Sequence, residues 1–348
     1  MPLFSGQKPI TRMGTPLVAL CLMLLFMWLF IAPQPSAQSR KYPMIISHVL
    51  HPESPKGEAF TYFAQMLRET AGGEDVNIEI YPSSTRYIDV EAIEALNRDA
   101  IHFIAPTTSK LSVFVPELAV LDFPFLFEDR ESYYRLLEGP YGDYVREKLR
   151  EHDLRLLAFW DNGFRHFSNA IREVVYPEDL KGLSIRVMSG ENTGLLYEHF
   201  GAHPKVISFL QMPQMLRLGV VNGAENTVIN YYDENLMGIQ PYLTLSYHSL
   251  MIYTFLMSES YYQSLSPEMQ EAIDVAAART TEYINYLVGT REQRFVSLLK
   301  QDERVQIVTL PPGVRDLWRK NIQLKTTPAL QRHYSRAYRH ILEAGYNP

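Results

Sequence analysis

From residue 42 onward, apolar and polar residues follow two rhythms that take turns along the chain. YPMIISHVL (42–50) and VNIEIYP (76–82) carry the period of two expected of strands. Between them, KGEAFTYFAQMLRETAGG (56–73) places Phe60, Phe63, Ala64 and Leu67 on one helical face and stops at Gly72–Gly73. DVEAIEALNRDA (89–100) reads as a helix opened by Asp89, and AIHFIAP (100–106) as a third strand. Strands alternating with helices predict parallel βαβ units and an α/β class.

The rhythm resumes after residue 152. LRLLAFW (154–160) is a strand, and FRHFSN (164–169) follows a turn at Gly163. GLSIRV (182–187) and AHPKVIS (202–208) are strands flanking the helix ENTGLLYEHFG, which Gly201 closes. QMPQMLRLG (211–219) is a short helix, and VVNGAENTVIN (220–230) carries a turn around Gly223. There are thus two α/β blocks, changing over near residues 152–165.

From Ser266 the pattern is helical for a long stretch. Ser266 suits an N-cap, Pro267 the first helical position and Glu268 the positive end of the helix dipole. Met269, Ile273, Ala276, Thr280, Ile284 and Leu287 keep helical spacing. Continued to Lys300, such a helix is about 50 Å long at ~1.5 Å per residue, longer than one small domain. It has to lie across both blocks unless Gly289 breaks it. Two further helices, near 313–323 and 328–344, are predicted, with Thr327–Pro328 capping the last.

The N-terminus departs from this alternation. Lys8 and Arg12 precede the apolar run PLVALCLMLLFMWLFIAP and then the small, polar QPSAQS. That order reads as a secretory signal peptide over residues 1–37, cleaved after Ala37. A retained membrane anchor is the other reading, because the run is nearly long enough to span a bilayer. In both, residues 38–348 lie outside the cytoplasm. The one cysteine, Cys21, falls inside this segment without the small preceding residue of a lipoprotein signal, so the exported part has no thiol for disulfides, zinc or nucleophilic chemistry.

At 348 residues, 46% apolar and 21% charged, the chain is large enough for two cores and ordinary for a globular protein. Removing residues 1–37 takes away Lys8 and Arg12 and no acid, so the net charge of −6 becomes −8. An acidic body argues against nucleic acid or anionic lipid as the main partner and makes local arginines more informative.

No Gly-rich phosphate loop, Gly-x-Ser-x-Gly elbow or His-Glu-x-x-His helix is present, and no cofactor or metal is expected. His199 and His203 have metal-pair spacing, but Gly201 between them reads as the end of a helix, which leaves them as surface or loop histidines. Arg165 in FWDNGFRHFSN, Arg186 in GLSIRV and Asn226 in NGAENT all fall at strand ends, where open α/β sheets hold ligands. Two guanidiniums near one point suit a carboxylate, which each can grip with two parallel hydrogen bonds. The alternative is internal pairing with Asp161, Asp179 or Glu225.

PELAVLDFPFLFEDRE, LLAFWDNGFRHFSN, PEDLKGLSIRV, GVVNGAENTVINYY and QPYLTLSYHS, in that order and spacing, make the chain resemble the DctP-type family from about residue 43 to 320. These are the extracytoplasmic solute-binding subunits of tripartite ATP-independent periplasmic (TRAP) transporters. The resemblance implies a two-lobed α/β periplasmic-binding-protein-like fold with a hinge, a long helix across both lobes, and one organic acid in the cleft. On it, residues 38–160 plus about 250–285 form lobe 1, and 161–249 plus about 286–348 form lobe 2, with the spanning helix at about 267–300. Arg186 stands where the family's arginine pairs with the ligand carboxylate, Arg165 where a second contact lies, Asn226 where an amide bonds the ligand, and Phe209 where an aromatic covers it. His48, Thr107 and Lys110 are weaker carry-overs from the first lobe.

The implied role is capture of an organic acid of C4-dicarboxylate type, without chemistry, and delivery to membrane TRAP permease subunits by a periplasmic monomer. A sugar acid (uronate) or keto acid is the alternative ligand. A sensor's receptor of the same fold and a secreted hydrolase are the alternatives of other classes. The sequence departs from the family's usual residues at Gln211, Asn222 and Asp99, and Ser84–Thr85–Arg86–Tyr87 replaces a more glycine-rich loop.

Overall fold

A computed structural model describes residues 42–71, 76–189 and 193–344. The expected signal peptide, its cleavage point and Cys21 lie outside the described residues. Strands β1 (Tyr42–Ser47) and β2 (Val76–Tyr81) pair in parallel, and the helix Pro55–Thr70 connects them. Ser54 caps that helix, its hydroxyl accepting from the Gly57 N–H at 3.2 Å, and Phe60, Phe63, Ala64 and Leu67 are buried on the face predicted for them. The third strand expected at 100–106 is reduced to single bridges, Ile46 to Phe103, Ile104 to Leu256 and Thr107 to Tyr253. The His102 ring accepts the Ile45 N–H at 3.0 Å where a ladder carbonyl would stand, and Pro106 has no N–H to offer.

The centre of the molecule is β3 (Leu154–Asn169), one strand of 16 residues where two pieces and a turn were expected. Gly163 does hold a left-handed φ of 92°, but it forms an irregularity inside the strand. The bend keeps its donors satisfied. Asp161 accepts from Gly163 N–H at 2.6 Å, and Glu292 of the long helix accepts from Phe164 N–H at 3.3 Å. The first half of β3 pairs antiparallel with β8 (Leu250–Ser258). The second half enters another sheet, between β6 (Gly223–Thr227) and β7 (Tyr242–Leu245), with β4 (Ser184–Val187) and β5 (His203–Val206) beyond β6 and β9 (Gln306–Thr309) beyond β7. The β4–β5 pair is parallel, as the alternation of strand and helix predicted; β4–β6 and β7–β9 are parallel as well, although β6, β7 and β9 were not among the predicted strands, whereas β3 runs against its neighbours.

Gly223 opens β6 and makes no left-handed turn. A Cβ there would sit 2.5 Å from Ile185 Cδ1, so the glycine serves the close approach of β4. β9 had no counterpart in the predicted elements.

The long helix is continuous from Pro267 to Leu299, with Ser266 capping it through Met269 N–H at 3.3 Å, and Gly289 does not interrupt it. It touches both lobes of the fold. Tyr283 stacks on Tyr62 of the first lobe at 4.4 Å, Tyr232 of the second stacks on Phe295 at 4.1 Å, and Trp160 of β3 donates to Thr281 at 3.1 Å. Pro312–His333 and Ser335–Glu343 follow. Pro328 lies inside the first of these, and the break falls at Tyr334, whose backbone (φ −129°, ψ 38°) leaves the helical region. Ala337 and Ile341 of the last helix join Leu118, Leu121, Tyr141 and Val145 in a first-lobe core, so this helix does not share the second lobe's core as assigned from sequence. The second-lobe core gathers Phe167, Leu183, Ile185, Val187, Leu196 and Trp318.

Candidate functional site

Near its carboxyl end β4 carries Arg186 out of an apolar strand, and one strand over, β6, whose Ala224 is level with Arg186, carries Asn226 two residues farther on. Thr227 then caps the helix Val228–Asp233 by accepting from Asn230 N–H at 3.2 Å, which turns Asn230 toward Asn226. The opposing wall comes from the first lobe. Lys56 stands in the first turn of the helix Pro55–Thr70, and Asp89 opens the next helix. Thr107 caps the single turn that bears Lys110, its hydroxyl accepting from Lys110 N–H at 3.3 Å. These side chains meet around a cavity of about 350 Å³, closed by Phe209 and floored by Tyr253 and Met251.

Arg186 is 1% exposed. Its Nε donates to the Ile207 carbonyl at 2.9 Å, Nη2 has no partner, and it forms no ion pair among the described residues. Burial lowers its pKa to about 10, an effect that Glu225 and Asp89 partly oppose, so it stays charged at neutral pH. A buried cation without a counter-charge is costly, and here its open side faces a cavity.

The other cations come from the opposing wall. Lys56, also 1% exposed, donates to the Ala105 carbonyl at 2.8 Å and lies 3.6 Å above the Tyr253 ring. Lys110 donates to the Met188 carbonyl at 2.7 Å, a bond that joins the two walls. Among the described residues, three cations thus line the cavity against one carboxylate, Asp89. Asn226 accepts from Asn230 at 2.9 Å through its oxygen, while its NH2 meets only the soft sulfur of Met212 at 3.8 Å, which leaves a donor toward the cavity.

Of the residues singled out from sequence, Arg186, Asn226, Phe209, Thr107 and Lys110 come together here. Arg165 and His48 are not on this wall. The Arg165 guanidinium is sunk between Asp122, to which Nη2 is ion-paired, and Glu225, at 3.3 Å from Nη1. Burial pushes Glu225 up, but Arg165 and the His248 ring more than reverse it and hold it at about 2. The anion awaiting Arg165 is therefore the protein's own, the internal pairing left open by the sequence.

His48 is buried and stacks on Phe60 at 5.4 Å. Burial and the neighbouring Lys56 lower its pKa to about 3. Unfolded, it takes a proton below about 6.5, whereas in the folded chain it does not. Its contribution is therefore complete above pH 6.5 and is lost as pH falls toward 3, at about 1.4 kcal/mol per pH unit. Urea midpoints measured from pH 7 to 5 should fall more steeply for the native chain than for His48→Asn. Parallel slopes would contradict it.

Lys56, Asp89, Asn230 and Tyr253 were not singled out from sequence. Lys56 had a readable signal, since it precedes Phe60 by four residues and Phe63 by seven and so sits in phase with the buried face.

A second hollow of about 290 Å³ adjoins the first through Asp89, Lys110 and Phe209 and adds Ser84 and Ser208. Ser83 and Ser84 hold left-handed φ of 54° and 57°, conformations for which glycine is the ordinary choice. Two departures lie off the cavity wall: Gln211 accepts from the Ser208 hydroxyl at 2.9 Å, and Asn222 accepts from the Ser184 N–H at 2.9 Å.

Comparison with known proteins identifies the fold and the family. The C4-dicarboxylate-binding protein DctB of Bacillus subtilis is 33% identical over 276 residues, 79% of each chain. The C4-dicarboxylate-binding periplasmic protein DctP of Rhodobacter capsulatus is 29% identical over 279 residues, 79% of this chain and 83% of its own. A crystal structure of a TRAP periplasmic solute-binding protein from Sulfurospirillum deleyianum, with bound succinate, superposes with a TM-score of 0.82 at 29% identity, covering 88% of this chain and 98% of that one. The model of the DctP family, bacterial extracellular solute-binding protein family 7, matches residues 46–334, and with lobes, long helix and cationic cavity all in place, it is to this family that the chain belongs.

Proposed function

We propose that this chain captures a C4-dicarboxylate outside the cytoplasm and hands it to the membrane subunits of a TRAP transporter. The observation that carries the reading is the charge of the cavity: among the described residues that line it, Lys56, Lys110 and Arg186 against Asp89 leave two positive charges for the ligand to balance. A four-carbon diacid brings two negative charges at neutral pH, whereas a uronate or aldonate brings one. The names of the relatives from Bacillus and Rhodobacter, and the succinate in the Sulfurospirillum structure, support the same class.

Arg186 takes one carboxylate as a bidentate pair, Asn226 donates beside it, and Phe209 covers the chain. First-lobe residues complete the shell only when the lobes are closed, so a ligand that touches both walls shifts the equilibrium toward closure by its differential affinity. The Lys110–Met188 bond belongs to that closed arrangement. Residues 1–37 serve export, and a mature mass beginning near Gln38 would support their removal.

Calorimetric titration of the exported chain with succinate, L-malate, D-glucuronate and D-galactonate tests the reading. The diacids are expected to bind at least tenfold tighter than the sugar acids, and at about 100 times its Kd a diacid should raise stability by about 2.7 kcal/mol. Tighter binding of the sugar acids would overturn the choice of ligand. Turnover of the bound acid would favour a hydrolase, and its recovery intact from the purified protein supports capture alone.

A further inference from the structure

We propose that Lys56 makes the cavity select by charge number, holding the carboxylate at the far end of the ligand from Arg186 so that dianions are bound in preference to monoanions of the same length. This rests on the reading of the cavity as a dicarboxylate site and assigns the residue that sets its specificity. An ammonium group has three N–H donors. One N–H of Lys56 goes to the Ala105 carbonyl, and the Tyr253 ring face takes a second side of the charge. No carboxylate of the described residues lies within ion-pair distance of it, and its remaining side faces the cavity. Lys110 is less suited to the role, because its ammonium is bound to the Met188 carbonyl and it is less deeply buried.

Placement also favours Lys56. It comes from the first-lobe helix Pro55–Thr70, whereas Arg186 comes from β4 of the second lobe. A diacid held at both ends therefore ties the two walls together. A monoacid on Arg186 leaves the other cation unanswered and gives less to closure. Tyr253 is well suited as a platform, since its ring positions the ammonium without neutralising it.

The charged and titratable groups around Lys56 set the pH behaviour. Burial lowers Lys56 to about 8, a shift that Asp89 partly opposes. His48 is held at about 3 and stays neutral, burial raises the Tyr253 phenol and lowers Lys110, and Arg186, lowered to about 10, stays cationic near neutrality. A carboxylate arriving at Lys56 raises its pKa, so binding near pH 8 takes up protons, and affinity declines as pH rises through 8.

The probes are succinate and its half-amide succinamate, which matches it in length but carries one charge. In the native chain succinate is expected to bind roughly 10- to 100-fold tighter than succinamate, the range of one charge-assisted contact. In Lys56→Met and Lys56→Gln that ratio should shrink to a fewfold, with circular dichroism and thermal unfolding showing a folded chain. For the native chain alone, calorimetry at pH 8 in buffers of different ionisation heat should show proton uptake with succinate well above that with succinamate. A ratio unchanged in the variants, or equal proton uptake for the two probes, overturns the assignment of Lys56 while leaving the dicarboxylate site standing. A native chain that binds neither probe overturns the parent reading, and this one with it.

Discussion

Arg186→Ala is expected to lower succinate affinity by roughly 10²- to 10⁴-fold without lowering the stability of the ligand-free chain. The first half follows from the bidentate geometry, in which two charge-assisted hydrogen bonds contribute ~1.5–3 kcal/mol each. The second half follows from burial. Arg186 makes no ion pair among the described residues, and its Nη2 has no partner, so its removal relieves a desolvated charge and strands no carboxylate. Arg186→Lys should also lose most of the affinity, because an ammonium cannot form the fork. Titration calorimetry read beside urea denaturation checks both halves. Native-like affinity in Arg186→Ala would remove this arginine from the site, and a large loss of ligand-free stability would show that it is paired internally after all.

Arg165→Met should give the opposite pattern. Removing this guanidinium leaves Asp122 and Glu225 buried and facing each other's charge. Breaking one member out of such a buried cluster costs about 3–5 kcal/mol. The urea midpoint should therefore drop strongly, and added succinate should raise stability by the same increment as in the native chain. If Arg165→Met were stable but unable to bind succinate, Arg165 would act on the ligand directly, as the family resemblance implied. Glu225→Gln offers a milder check. It keeps the shape of the side chain, removes a carboxylate held at about 2, and should destabilise the fold across the whole range above that pH.

The contrast between these two arginines shows where sequence reading reaches and where it stops. Both are cations in strands of apolar phase, and nothing local separates them. What does is pairing across the fold: Glu225 and Asp122, 60 and 43 residues away, converge on Arg165, while among the described residues no carboxylate forms an ion pair with Arg186. The helix faces, the parallel β1–β2 and β4–β5 pairs and the long helix from Pro267 were legible because each depends on local periodicity. The continuity of β3, the close-approach role of Gly223 and the loss of the strand at 100–106 were not. Each is decided by a distant partner: Glu292, Ile185 and His102 with Ile45, respectively. Lys56 lay between these cases, its phase visible and its cavity invisible.

The single ribbon from Leu154 to Asn169 has a consequence for engineering. Because one uncut strand is shared by the two sheets, exchanging a lobe with a relative cannot be done at a flexible joint. A chimera would have to carry the ribbon whole, together with the Glu292 side chain that secures its bend, or the graft would arrive with its ligand walls out of register.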